Sequence, residues 1–297
     1  MATEAERIRE EFGNGDAQRD RGLFSPETVE RFDDIVYGIK HPLQVLDVYR
    51  PKNRAGEKLP VIVSVHGGAW VYGTKETYQY YCMSLAERGF AVINFSYRLA
   101  PENKFPAALE DVTVVFRWML EHQETYGFDC EKVFGVGDSA GAHLLSLFIA
   151  MGINERYAQQ FSFRAPEKFR FRAVALNCGV YELEKNATDE LTMLLLKEVL
   201  PKGGTEEEMN WINPLPFLTK DFPPSFVMTC NEDFLREQAP LMVARLEALK
   251  VPVQYHCYGT DAVRLYHVFH CNVKLKEATQ CNDDECDFFR NYMEEIQ

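Results

Sequence analysis

The chain has 297 residues, 46% of them hydrophobic and 13% aromatic, enough for one large domain with a substantial buried core. Lysine and arginine number 32 against 45 aspartate and glutamate, a net charge of −13 that argues against nucleic acid or an anionic membrane as partner. No apolar run approaches a bilayer span, and the first eleven residues are charged without an apolar signal core, which points to a cytoplasmic protein.

Residues 1–32 read as polar helices, broken at Phe12-Gly-Asn-Gly-Asp16 and restarted by the capping signal Ser25-Pro26-Glu27, and are expected to form an N-terminal cap. From Asp33 the pattern turns to strands. Ile35–Ile39 comes first, then Leu43–Tyr49, which alternates apolar and polar residues. After the turn Asn53-Arg-Ala-Gly56, Leu59–Val65 is a near-continuous apolar run, as a strand buried on both faces requires. A helix over Tyr78–Arg88, a strand over Ala91–Ser96 and a helix over Ala107–Glu121 lead to the strand Val133–Val136 and the apolar helix Ala142–Met151. Strands follow over Arg172–Asn177, Ser225–Cys230 and Val253–Tyr258, with helices near 237–249 and at the C-terminus. This alternation predicts an α/β domain over residues 33–297, with a mainly parallel sheet, helices on both faces and an antiparallel start.

Residues 181–216 interrupt the rhythm with an amphipathic helix (Glu190–Leu200), the loop Pro201-Lys-Gly-Gly204 and Trp211-Ile-Asn-Pro214. An insertion on the C-terminal side of a sheet is where ligands are covered, so this segment is expected to be a helical cap. Of the eight cysteines, Cys178, Cys230 and Cys257 fall in or beside strands, as buried reduced thiols do. Cys281 and Cys286, with the pairs His256-Cys257 and His270-Cys271, match no common zinc spacing. The sequons Asn94-Phe-Ser96 and Asn186-Ala-Thr188 carry no weight without a secretion signal.

Chemistry concentrates at four places. Gly137-Asp138-Ser139-Ala140-Gly141 lies between an apolar strand and an apolar helix, the setting of a nucleophile elbow, in which a sharp turn lifts a serine hydroxyl out of the sheet. His66-Gly67-Gly68-Ala69-Trp70 follows a buried strand, and its small residues let backbone N–H groups turn toward a developing oxyanion. Gly68, Ala69 and Ala140 are the expected donors. An acid and a base must then follow the serine, in the order of α/β-hydrolases. Glu232-Asp233 follows one strand and His267-Val-Phe-His270 another. Asp233 and His267 are the first choices, with Glu232 and His270 as alternatives.

The segment Phe95-Ser-Tyr-Arg-Leu-Ala-Pro-Glu-Asn-Lys-Phe-Pro-Ala-Ala-Leu-Glu-Asp111, with the His66 and Ser139 motifs, resembles the hormone-sensitive-lipase-like family of bacterial carboxylesterases, from about residue 33 to the C-terminus. The resemblance implies an α/β-hydrolase fold in which Ser139 is the nucleophile, His267 the general base and Asp233 the acid. Asp233-Phe-Leu-Arg236 is similar to the family's Asp-Pro-Leu-Arg, which favours Asp233 over Glu232. Two departures stand out: Val268 where the family commonly has glycine, and Ala69 at its third oxyanion glycine. The Tyr97–Glu102 block carries no group the mechanism needs and reads as scaffold.

The implied activity is hydrolysis of short-chain (acetyl to butyryl) esters of small molecules through an acyl-enzyme, acetylated sugars included, with no metal or organic cofactor. Gly-Asp-Ser-Ala-Gly-Ala-His143 is also similar to formamidase-like and polysaccharide-deacetylating relatives. An amidase or formamidase with the same triad is therefore the alternative, and a non-catalytic ligand receptor on the same scaffold is a third reading. Trp70, Tyr72, Trp211 and Phe217 are expected to line the pocket, where bulky rings would favour short acyl chains. An exposed edge strand near the C-terminus could pair with a second copy as a homodimer.

Overall fold

Seven consecutive buried residues, Leu59–Val65, form the strand β3 at the centre of the molecule, and the remaining elements are arranged around it. A computed structural model describes residues 2–167, 169–183 and 190–294. Before β3 come the helix α1 (Glu4–Asp20) and the strands β1 (Val29–Val36) and β2 (Val45–Pro51). After it come α2 (Lys75–Glu87), β4 (Ala91–Phe95), α3 (Ala107–Glu121), the single turn α4 (Gln123–Tyr126), β5 (Phe128–Asp138), α5 (Ala140–Ile153) and α6 (Glu155–Ala158). The chain ends with β6 (Ala173–Asn177), α7 (Glu190–Val199), α8 (Glu206–Ile212), β7 (Ser225–Cys230), α9 (Gln238–Ala248), β8 (Val253–Tyr258) and α10 (Lys276–Arg290).

The eight strands make one sheet in the order β1-β2-β4-β3-β5-β6-β7-β8. β2 is antiparallel to both neighbours, and every later pairing is parallel. Helix α3 buries Leu109, Val112, Phe116 and Met119, the spacing of an amphipathic helix with one face on the core. Helix α5 buries every residue from Ala140 to Met151, as a helix that is apolar all round must. Because the central strands run parallel, the segments after β3, β5, β6, β7 and β8 emerge along one edge, where α/β sheets place their ligands.

Three expectations are corrected. Helix α1 runs unbroken through Gly13 and Gly15. Each glycine costs about 1 kcal/mol relative to alanine, and tertiary contacts offset this. Arg9 donates to the carbonyls of Val71 and Ala100 at 2.8 Å each, Phe12 packs edge-on against Tyr72, and Asp16 accepts from the Tyr72 hydroxyl at 2.9 Å. At its N-terminus the Glu4 and Ala5 N–H groups donate to Glu198 of α7, joining the two helices. Secondly, Ser25-Pro26-Glu27 opens no helix but the turn into β1, which starts at Val29 because its backbone pairs with β2 from Pro51 onward. Thirdly, Cys257 is exposed, since β8 is an edge strand with one face uncovered. Of the expected cap insertion, α7 and α8 are described. Residues 184–189, with the sequon at Asn186, lie outside the described residues.

The Tyr97–Glu102 block is held by a buried ion pair. Arg98 contacts the fully buried Asp111 through its backbone N–H (2.8 Å) and its guanidinium (2.7 Å), and Gln44 donates to the same carboxylate at 2.7 Å. Asp111→Ala should cost about 3 kcal/mol, because Gln44 and most of the Arg98 charge stay buried without it. A lower urea midpoint at unchanged m-value is the measurement, and a midpoint equal to the parent's within error would refute it.

Candidate active site

Ser139 sits between β5 and α5 at φ 50°, ψ −121°, left-handed backbone that costs a non-glycine residue about 1–3 kcal/mol. Packing imposes it. The Ser139 N–H donates to the Asn177 carbonyl at the end of β6 (2.9 Å), and two close approaches fix the turn. A Cβ on Gly141 would lie 2.0 Å from the Val65 carbonyl oxygen, and one on Gly137 would lie 2.7 Å from that of Gly141. Both flanking glycines are therefore steric requirements, and Ser139 stays half-buried at the apex.

Asp233 and His267 come together across the β7 and β8 loops. The His267 Nδ1 lies 2.7 Å from Asp233 Oδ1, which also accepts the Leu235 N–H at 2.9 Å, while Oδ2 accepts the Thr229 hydroxyl at 2.7 Å. Burial alone would raise the Asp233 pKa. The His267 hydrogen bond and charge, with the Leu235 and Thr229 donors, outweigh it and hold the carboxyl below its ordinary value. Asp138, immediately before Ser139, lies within electrostatic reach of His267. The alternatives are placed elsewhere. Glu232 pairs with Arg264 at 3.4 Å, and His270 is fully buried, its pKa lowered to about 3 chiefly by that burial, as a core histidine.

Gly68, Ala69 and Trp70 carry φ of 114°, 52° and 62°, so three successive residues after β3 are left-handed. The segment is propped from several sides. The Tyr97 hydroxyl donates to the His66 carbonyl (2.9 Å), and its ring stacks on the His66 imidazole at 4.0 Å. Ala100 N–H donates to the Trp70 carbonyl at 3.0 Å. Trp70 itself is only 7% exposed, and its indole N–H is spent on His143 Nδ1 (3.1 Å), whose Nε2 faces the Ile212 carbonyl of α8 at 2.5 Å. Burial lowers the His143 pKa to about 4, so it is neutral and its tautomer is fixed by these two partners. Trp70 thus ties this segment to α8 rather than offering an open ring. Tyr72 is bound to α1 through Asp16, Trp211 accepts at its carbonyl from the Tyr157 hydroxyl (2.9 Å), and Phe217 packs on the Tyr157 ring at 4.4 Å.

Sequence reasoning missed His143, although its i+4 position puts it on the serine's side of α5. It also missed Phe234, 72% exposed with its ring 4.3 Å from that of His267, for which loop position gives no signal. Val268, in the glycine position of the resembling family, takes φ 53°. A cavity of about 260 Å³ adjoins His267, lined also by Asp16, Arg19, Tyr266 and Leu275. Among the described residues, the one His/Cys/Asp/Glu group compact enough for a metal is Cys178, Asp233 and His267, with donor atoms within 4.8 Å of one another. Tetrahedral zinc bonds near 2.0 Å set ligand atoms about 3.3 Å apart, so the 2.7 Å His267–Asp233 separation is a hydrogen bond with no room for an ion.

The fold has close counterparts. A family model described as BD-FAE matches residues 46–242, more than half of the chain. Esterase LipC of Mycobacterium tuberculosis is 30% identical over 225 residues, 72% of this chain and 55% of that one. The chain thus spans about half the length of this relative. Versiconal hemiacetal acetate esterase of Dothistroma septosporum is 28% identical over 249 residues, 78% of this chain and 72% of that one. Among solved structures, esterase B from Lactobacillus rhamnosis, inhibited by a C4-C4 tributyrin phosphonate, superposes with a TM-score of 0.87 at 26% identity, covering 96% of this chain and 92% of that one. An eight-stranded sheet of this order, with serine, acid and histidine motifs in sequence along one edge and a matching family model, makes the chain a member of the BD-FAE family, within the hormone-sensitive-lipase-like esterases of the α/β-hydrolase superfamily.

Proposed function

We propose that the chain is a serine carboxylesterase for short-chain esters of small molecules. One observation carries this reading: the 2.7 Å His267–Asp233 pair closes on the same sheet edge as a serine held at left-handed φ. His267 takes the Ser139 proton through Nε2 while Nδ1–H stays bound to Asp233, and the serine oxygen attacks the ester carbonyl. The N–H groups of Gly68, Ala69 and Ala140 receive the oxyanion, and Ala140, as the first residue of α5, adds the positive end of that helix. His267 then protonates the leaving alcohol, and water activated by the same imidazole clears the acyl-enzyme. This chemistry needs no cofactor.

The names of similar proteins support short acyl groups. Among the similar proteins, one is named for an acetate ester and another is inhibited by a tributyrin phosphonate. Hydrolysis of p-nitrophenyl esters from acetate to dodecanoate tests the proposal. Acetate and butyrate should turn over at least about tenfold faster than decanoate, a difference of about 1.4 kcal/mol in the barrier. Equal rates along the series would overturn the chain-length claim. No turnover above a Ser139→Ala control would overturn the activity and direct attention to formamides.

A further inference from the structure

Of the buried carboxylates that the proposed mechanism leaves unused, one stands beside the nucleophile. Asp138 is the last residue of β5, 3% exposed, and its Oδ2 accepts the Tyr78 hydroxyl at 2.7 Å. That hydroxyl in turn accepts the Gly67 N–H at 3.0 Å. The carboxylate also lies over the Gly67 Cα: a Cβ there would stand 2.5 Å from Oδ2 and 3.0 Å from the Tyr78 oxygen. Strand β5, helix α2 and the segment after β3 therefore meet at one hydrogen-bonded point, with the nucleophile one residue away on one side and Gly68 one residue away on the other.

We propose that Asp138 is a positioning residue that, through Tyr78, holds the Gly67–Ala69 segment in register with Ser139. The inference rests on the esterase reading of that segment as the oxyanion site. Ser139 and the Gly68 N–H belong to different strand connections, and the Asp138 carboxylate reaches the second of them both through Tyr78 and through the Gly67 N–H directly. An ionised Asp138 makes the Tyr78 bond charge-assisted, which shortens and strengthens it. It also keeps the Tyr78 proton pointing at the carboxylate, leaving the phenol oxygen free to accept from Gly67. A protonated Asp138 loses the charge assistance, and with its proton on Oδ2 it competes to donate to the Tyr78 oxygen, so the Gly67 bond weakens.

The brace therefore has a titration. Burial, the dominant influence, pushes the Asp138 carboxyl up to about 6, against the Tyr78 bond, the His267 charge, the Gly67 N–H and the Arg19 charge. The groups facing it are Tyr78 and Cys82 of α2, His267 and Cys271 after β8, Arg19 of α1, Tyr97 after β4 and Glu285 of α10. The sign for stability is opposite to that for activity. A carboxyl whose folded pKa lies above its unfolded value favours folding when protonated, and that contribution is lost as pH rises through about 6. Ionised Asp138 thus opposes folding while it serves the site.

The test measures kcat and KM for p-nitrophenyl acetate from pH 4.5 to 9 in the parent, Tyr78→Phe and Asp138→Asn, with thermal unfolding of each at pH 8. Tyr78→Phe should lower kcat about 10–100-fold with KM nearly unchanged, the cost of a small misplacement of catalytic donors. Asp138→Asn should lower kcat in the same way, lose the step near pH 6, and melt at or above the parent temperature. Parent-like kcat and pH profile in both variants would overturn the proposal, as would kcat losses that merely follow lower melting temperatures. Amide hydrogen exchange at Gly67 gives a readout independent of turnover. Faster exchange in Tyr78→Phe supports the brace even if the parent hydrolyses no ester, and unchanged exchange sinks it.

Discussion

Ser139→Ala should lower kcat for p-nitrophenyl acetate by about 10⁵–10⁶-fold, His267→Ala by as much, and the double variant by no more than either, because nucleophile and base act as a unit. The structure explains why these losses should come without unfolding. Alanine keeps the Cβ of Ser139, and the φ of 50° is imposed by the Gly137 and Gly141 approaches and by the bond to Asn177, none of which involves the hydroxyl. The His267 side chain is 15% exposed, but it borders an open cavity and the largely solvated Phe234 ring, so truncation opens toward solvent rather than into closed core. Thermal melting within a few degrees of the parent, beside the rate loss, is the expected pair of results. Residual activity within tenfold of the parent in Ser139→Ala would remove that residue from the nucleophile's role.

The sheet was legible because parallel strands covered on both faces must be apolar throughout, and Leu59–Val65 or Ser225–Cys230 have no other way to be buried. Helix α3 was legible to the residue, since its amphipathic period ends where the chain turns polar. Helix α1 was not, for its stability lies in Arg9, Phe12 and Asp16 meeting residues 71–102, contacts no local window contains. The exposure of Cys257 depended on strand order, and a row of apolar and polar residues does not say which strand lies last. At the site, motif order narrowed the acid to two adjacent carboxylates and the resemblance of Asp233-Phe-Leu-Arg236 favoured the second, while the loop geometry puts Asp233 on His267 and Glu232 on Arg264. The tie between Trp70 and α8 was not legible, because its partners, His143 and through it Ile212, lie 73 and more residues away.

Asp233→Ala should lower kcat about 10⁴-fold, less than loss of the nucleophile or the base, whereas Asp233→Asn should retain part of the activity. The reason lies in how the two carboxylate oxygens are shared. Oδ1 takes both N–H donors, from His267 and Leu235, while Oδ2 takes the Thr229 hydroxyl. An asparagine can keep its carbonyl at the first position and turn its NH₂ to the second, because a threonine hydroxyl rotates from donor to acceptor. His267 then keeps the tautomer with hydrogen on Nδ1, and only the negative charge that stabilises its protonated form is lost. A loss of about 10²-fold is expected for that charge alone, since hydrogen bonds to ionised groups are roughly twice as strong as neutral ones and gain further in a buried site. The carboxyl is held below its ordinary pKa, so the stability it contributes is present above the normal carboxylate range and lost only as pH falls through the lowered value. The parent's activity between pH 5 and 9 should consequently show no step from Asp233. Asparagine and alanine variants of equal activity would mean that charge does all the work and that the Thr229 hydroxyl does not turn. Parent-like rates in either would show that His267 is oriented by something other than the residue 2.7 Å from it.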